Sequence, residues 1–179
     1  MLNKKVMIVS LGCDKNLVDT EKMLGILADE GCTFTDDEAQ AQVIIVNTCC
    51  FIGDAKEESI QNILDLARFK TEGKLEALIA TGCLSQRYQD EMLEELPELD
   101  GILGISAWHT IADVVRDALE GKRPRNLMST GVLNSHTTKR LLTTGGHYAY
   151  LKIAEGCNKR CTYCVIPSVR GAYVSVPME

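Results

Sequence analysis

Near the end of the chain, Cys157, Cys161 and Cys164 are spaced C-x3-C-x2-C. Three thiolates in one short loop can hold three irons of a 4Fe-4S cube and leave the fourth iron open to another molecule, which reads as a reaction site. A zinc knuckle completed by His136 or His147 is the competing reading. Structural zinc sites join paired C-x2-4-C ligands to a second pair downstream, and only one short pair exists in this segment. His109, beside Trp108, reads as a capping or surface residue.

Three more cysteines, Cys13, Cys49 and Cys83, each follow an apolar run that reads as a strand. In an open α/β sheet the carboxyl edge of the strands is where ligands bind, so residues this far apart in sequence could converge there as a second three-cysteine site. The alternatives are a three-cysteine zinc site completed by water and three inert buried thiols. Of the neighbours Cys49 and Cys50, Cys49 is closer to the strand end and is the expected ligand. Cys32 and Cys50 are expected to pack as small buried hydrophobes.

The elements that must position these cysteines alternate along the chain. Apolar runs predict strands over residues 5–10, 43–46, 75–81 and 101–105, with a short extra strand near 32–34. Helical periodicity follows over 17–31, 55–69, 84–96 and 108–119, with Asp54 placed to cap the second helix and Pro97 to stop the third. The pattern predicts an α/β fold with a mostly parallel sheet flanked by helices, flavodoxin-like or Rossmann-like. Residues 121–146 turn polar and glycine-rich and read as a linker. The alternation over 147–154 predicts a strand that delivers the chain to the C-x3-C-x2-C loop. The expected organisation is therefore a first domain over 1–120, a linker over 121–146 and the start of a second domain over 147–179.

With 179 residues, 45% hydrophobic and 25% charged, the chain has the composition of a soluble globular protein. No apolar run approaches the length needed to cross a membrane, and residues 1–5 lead into a strand with no signal-peptide core. A cytoplasmic location is expected, where eight cysteines read as metal ligands or reactive thiols more readily than as disulfides. A formal net charge of -6 argues against nucleic acid as the main partner of this segment and suits a basic protein. No Ser/His/Asp arrangement, dinucleotide fingerprint or phosphate loop stands out.

The triad with Tyr163 resembles the radical S-adenosylmethionine signature. Taken with Leu11-Gly12-Cys13, Asn47-Thr48-Cys49 and Thr81-Gly82-Cys83, the whole chain resembles the methylthiotransferases of that family. Residues 10–19, 51–59, 83–88 and 166–171 are similar to the branch that modifies an aspartate of ribosomal protein S-twelve. The branch that acts on tRNA adenosine is the alternative, and a stand-alone iron-sulfur or zinc module is the alternative outside the enzymes.

The resemblance implies two 4Fe-4S clusters, one on Cys157, Cys161 and Cys164 that binds S-adenosyl-L-methionine, and an auxiliary one on Cys13, Cys49 and Cys83. It implies Tyr163 near the adenine of the cofactor, an electron donor as a second partner, and ribosomal protein S-twelve as substrate, free or in the small subunit. It further implies that the radical domain continues as a partial β/α barrel, so that this chain is the first part of the enzyme and is expected to be inactive alone. Two departures stand out: Val176 where the family often has arginine, and Asp14 where it often has proline.

Overall fold

The computed structural model of the chain describes residues 1–130 and 138–177. Six parallel strands form one sheet: β1 (Lys5–Ser10), β2 (Thr33–Phe34), β3 (Val43–Thr48), β4 (Ala77–Gly82), β5 (Gly101–Leu103) and β6 (Arg125–Asn126). Their order is β2-β1-β3-β4-β5-β6, which is flavodoxin-like with one further edge strand. The α/β reading of the sequence, with a parallel sheet between helices, is what the chain adopts.

The central strands β3 and β4 are buried at every residue, which is why they read as unbroken apolar runs. Because successive side chains point to opposite faces, the two strands divide their residues between two cores. Ile44, Val46, Leu78 and Ala80 pack with Ile63 and Leu66 of α2 (Gly53–Ala67) and Leu84 and Met92 of α4 (Cys83–Glu95). Val43, Ile45, Ala77 and Ile79 pack with Met23 and Leu27 of α1 (Asp14–Asp29) and Ile111, Val114 and Val115 of α5 (Ile111–Leu119). A four-residue helix α3 (Phe69–Glu72) continues from α2, and 3-10 turns cover Glu38–Gln40 and Trp108–Thr110.

Several local readings differ from the sequence expectation. Helix α1 begins at Asp14, three residues earlier than its apolar periodicity, since its first turn faces the strand ends. Asp54 lies in the first turn of α2 and does not cap it; Ile52 takes the cap position with no side-chain hydrogen bond. Helix α4 is broken at Gln89, whose φ of 32° is left-handed, and Arg125 Nη2 donates to the Gln89 side-chain oxygen at 3.0 Å. Arg125 and Asn126, inside the stretch read as linker, form β6 on the free edge of β5.

The strand expected over 147–154 shrinks to β7 (Ala154–Glu155), paired antiparallel with β8 (Val174–Ser175). The reason lies in α1, which takes up the polar groups of this segment. Glu21, whose side chain is fully buried, accepts from Arg140 Nε at 2.7 Å and from the Thr143 backbone N–H at 2.7 Å. Arg140 Nη1 in turn donates to Tyr150 O at 2.6 Å, and Lys152 Nζ reaches Asp19 Oδ1 at 2.7 Å. Residues 139–155 therefore run as a strap across α1. Gly25 makes room for it: a Cβ there would lie 2.1 Å from Lys139 O.

Candidate functional site

The order of strands changes direction between β1 and β3, and ligand crevices of open α/β sheets form at such a switch point beyond the carboxyl ends of the strands. Cys13 follows β1, Cys49 follows β3 and Cys83 follows β4, so the three thiols sit on adjacent loops at that edge. They line one cavity of about 380 Å³ together with Cys50, Phe51, Ile52 and Ala55. Cys13 is exposed, Cys49 buried and Cys83 between.

Two glycines allow the loops to close on each other. Gly12 has φ +86°, and a Cβ on it would meet Cys49 Cβ at 2.7 Å and Cys49 Sγ at 2.8 Å, so only glycine lets the first loop lie against the second. Gly82 has φ +93°, and a Cβ there would meet Asn47 Oδ1 and Thr48 O, each at 2.5 Å. The Gly-Cys pairs of the sequence are thus a turn followed at once by the functional atom. Asn16 completes the frame: its side-chain amide donates to Leu11 O at 2.8 Å and Thr48 O at 3.0 Å, tying the first two loops together. Ser59 accepts from the Cys49 backbone N–H at 3.0 Å and donates to Cys49 O at 2.9 Å, which fixes the second cysteine from the side of α2.

The far wall of the cavity comes from the second cysteine segment. Val165, Ile166, Val169 and Arg170 belong to helix α6 (Ile166–Arg170) and the residue before it, immediately after Cys164. In the C-x3-C-x2-C loop, the Cys157 backbone N–H donates to Gly171 O at 3.1 Å and the Lys159 N–H lies 3.4 Å from Cys157 Sγ. Cys161 is exposed, Cys157 and Cys164 are half-buried, and the Tyr163 ring is 84% exposed.

Between the two cysteine sites lies a buried ion network. Arg170 Nη1 is 2.9 Å from both carboxylate oxygens of Glu155, and Nη2 donates to Asn16 Oδ1 at 2.6 Å. Lys152 Nζ bridges Glu155 Oε2 at 2.5 Å and Asp19 Oδ1 at 2.7 Å, and Lys15 Nζ lies 3.5 Å from Glu155 Oε1. Burial alone would raise the Glu155 carboxyl, but Arg170 and Lys152 outweigh it and hold it at about 2. Burial pushes the Cys83 thiol up to about 11, against the opposing pull of the Arg170 charge. Cys50 is pushed up by burial as well, with Arg87 opposing.

This donor set suits a metal cluster. Thiols converge on an apolar-walled cavity, cations stand beside them, and the amino ends of α1, α2 and α4 all open toward it, which favours an anionic occupant. Among the described residues, no three His, Cys, Asp or Glu side chains stand close enough to hold a single metal ion. His136, one of the two histidines weighed as a zinc ligand, lies outside the described residues. His147 is turned onto its own loop, with Nδ1 3.1 Å from Gly145 O.

The sequence assigns Cys50 to packing. It is 3% exposed and packs in the α2/α4 core, yet it also lines the cavity. Arg170 and Lys15 were not identified. Both lie in stretches that carry the family resemblance, 10–19 and 166–171, but neither stretch reveals the contact of Arg170 with Asn16 across 154 residues.

The fold and the site define a cysteine-edged, flavodoxin-like α/β protein whose binding crevice is walled by a second cysteine-bearing segment. Residues 5–104 match the family described as Uncharacterized protein family UPF0004, and the chain belongs to it. Over 175 residues it is 53% identical to the ribosomal protein uS12 methylthiotransferase RimO of Lachnoclostridium phytofermentans, covering 98% of this chain and 40% of that protein. The proteins of the same name from Thermoanaerobacter sp. and Geobacter sulfurreducens are 49% and 50% identical over 98% of this chain, again spanning 40% of each relative. The chain thus spans about two-fifths of the length of the curated relatives it matches, and corresponds to their N-terminal part.

Proposed function

We propose that the chain is the N-terminal part of an enzyme that methylthiolates an aspartate of ribosomal protein uS12. The observation that carries this reading is the shared cavity of Cys13, Cys49 and Cys83, walled by the helix that follows Cys157, Cys161 and Cys164, in a chain aligned over 98% of its length with proteins of that name. In this reading residues 1–120 form the auxiliary-cluster domain, 121–146 connect, and 147–179 begin the radical domain.

Cys13, Cys49 and Cys83 would hold one 4Fe-4S cluster and Cys157, Cys161 and Cys164 another. With S-adenosyl-L-methionine bound, these groups supply functionalisation of an unactivated C–H bond and transfer of sulfur and methyl, chemistry beyond any side chain. The protein's part is to position and to exclude water. Phe51, Ile52, Val165, Ile166 and Val169 keep the cavity dry, while Lys15 and Arg170 place positive charge at its edge. The loop bearing Tyr163 presents the ring to solvent, where the adenine would meet it. An electron donor and a cytoplasmic setting complete the proposal. Among the described residues, no helix is long and apolar enough to cross a membrane.

The test uses the full-length protein, reconstituted without oxygen and incubated with S-adenosyl-L-methionine, a reductant and either ribosomal small subunits or tRNA. Mass spectrometry is expected to find a methylthio group on an aspartate of uS12. Methylthiolated tRNA with unmodified uS12 would overturn the assignment in favour of the tRNA branch.

A further inference from the structure

Arg170 lines the cavity of the first cysteine site and belongs to the helix that follows the second. It sits six positions after Cys164, its side chain is almost wholly buried, and it forms part of the cavity wall. Two contacts fix its plane: Glu155 against Nη1 and Asn16 Oδ1 against Nη2. A guanidinium has five N–H donors in a rigid fork, so these bonds leave others free to serve the cavity that Arg170 and Cys83 both line. The charges of the network do not cancel. Lys15, Lys152 and Arg170 face Asp19 and Glu155, leaving one positive charge unmatched beside the cysteine cavity.

We infer that Arg170 is a positioning residue for the first cysteine site: held by Glu155 and Asn16 in the wall of the cavity that Cys83 lines, it turns its charge and remaining N–H donors toward that cavity and sets the reduction potential of the iron-sulfur group bound there. The inference rests on the reading that Cys13, Cys49 and Cys83 hold a cluster. Hydrogen bonds to cluster sulfurs and adjacent positive charge stabilise the reduced, more negative form, and so raise the potential. Because Arg170 belongs to the helix that follows Cys164, the seating of the second cysteine segment is felt electrostatically at the first. Lysine keeps the charge but lacks the fork, and cannot hold Glu155 and Asn16 together while still facing the cavity.

The experiment uses the full-length protein carrying Cys157→Ala, Cys161→Ala and Cys164→Ala, so that only the first site reports. Arg170→Met and Arg170→Lys are added separately, iron and sulfide are counted, and the cluster is titrated against potential by electron paramagnetic resonance. At the midpoint potential of the parent, the ratio of reduced to oxidised cluster is expected to fall at least tenfold in Arg170→Met, a shift of about 59 mV for a one-electron couple. Arg170→Lys is expected to shift in the same direction by less, and carries the comparison where the methionine variant fails to fold or retain iron. Full iron content with an unchanged midpoint in the variants overturns the inference and leaves the cluster reading standing. A parent that binds no iron overturns both.

Discussion

Glu155 anchors the strap and α6 to the first domain, and its carboxyl makes that anchoring depend on pH. In the folded chain Lys152 and Arg170 hold it at about 2, whereas once unfolded it returns to the ordinary 4.5. At about 1.4 kcal/mol per pH unit, this difference is worth about 3 kcal/mol of stability. The group closes the strap and is largely shielded from solvent, so the figure needs little discount for screening. Since the folded value lies below the unfolded one, the stabilisation is fully present above pH 4.5 and is lost as the pH falls toward about 2. Other carboxylates titrate in the same window, so the measurement is a difference between wild type and Glu155→Gln. Urea unfolding of the chain, followed by the fluorescence of the buried Trp108, gives the stability gap at each pH. The gap is expected to stay level from pH 7 to about 5 and then to narrow, with roughly 2 kcal/mol gone by pH 3. A gap that stays constant from pH 7 to 3 would refute the idea that Glu155 is held ionised by its buried partners.

Three further outcomes follow from the same contacts. Gly12→Ala places a Cβ into Cys49 at a left-handed φ; it is expected to cost about 2–4 kcal/mol in urea unfolding and to lower the iron bound on reconstitution. Arg140→Ala leaves the buried Glu21 carboxylate without its cation, and is expected to cost about 3 kcal/mol and to open residues 139–153 to limited proteolysis. In the full-length protein, replacing Cys13, Cys49 and Cys83 with alanine is expected to remove about half of the reconstituted iron, whereas Cys50→Ala retains it; equal loss from both variants would show Cys50 to be a ligand.

Patterning made the sheet legible, because strands buried on both faces must be apolar throughout and the intervening helices must carry one apolar stripe. Val43–Thr48 and Ala77–Gly82 are of this kind. The alternation over 147–154 does not become a strand for a physical reason: a strand requires a partner, and here the backbone oxygens of Tyr148, Tyr150 and Ala154 accept from the side chains of Thr144, Arg140 and Lys15 instead. Arg125 and Asn126 carry no strand signature of their own and pair because β5 leaves an open edge.

The sequence by itself determined the α/β class, the six strand-end and loop cysteines, and the two glycines that turn into Cys13 and Cys83, since all of these follow from local periodicity and spacing. The tertiary structure alone decided that Cys50 shares the cavity, that α6 walls it, and that Arg170 joins Glu155 and Asn16 beside Cys83 in that wall. Those contacts link residues up to 154 positions apart, and no local pattern encodes which buried charge will meet which across a fold.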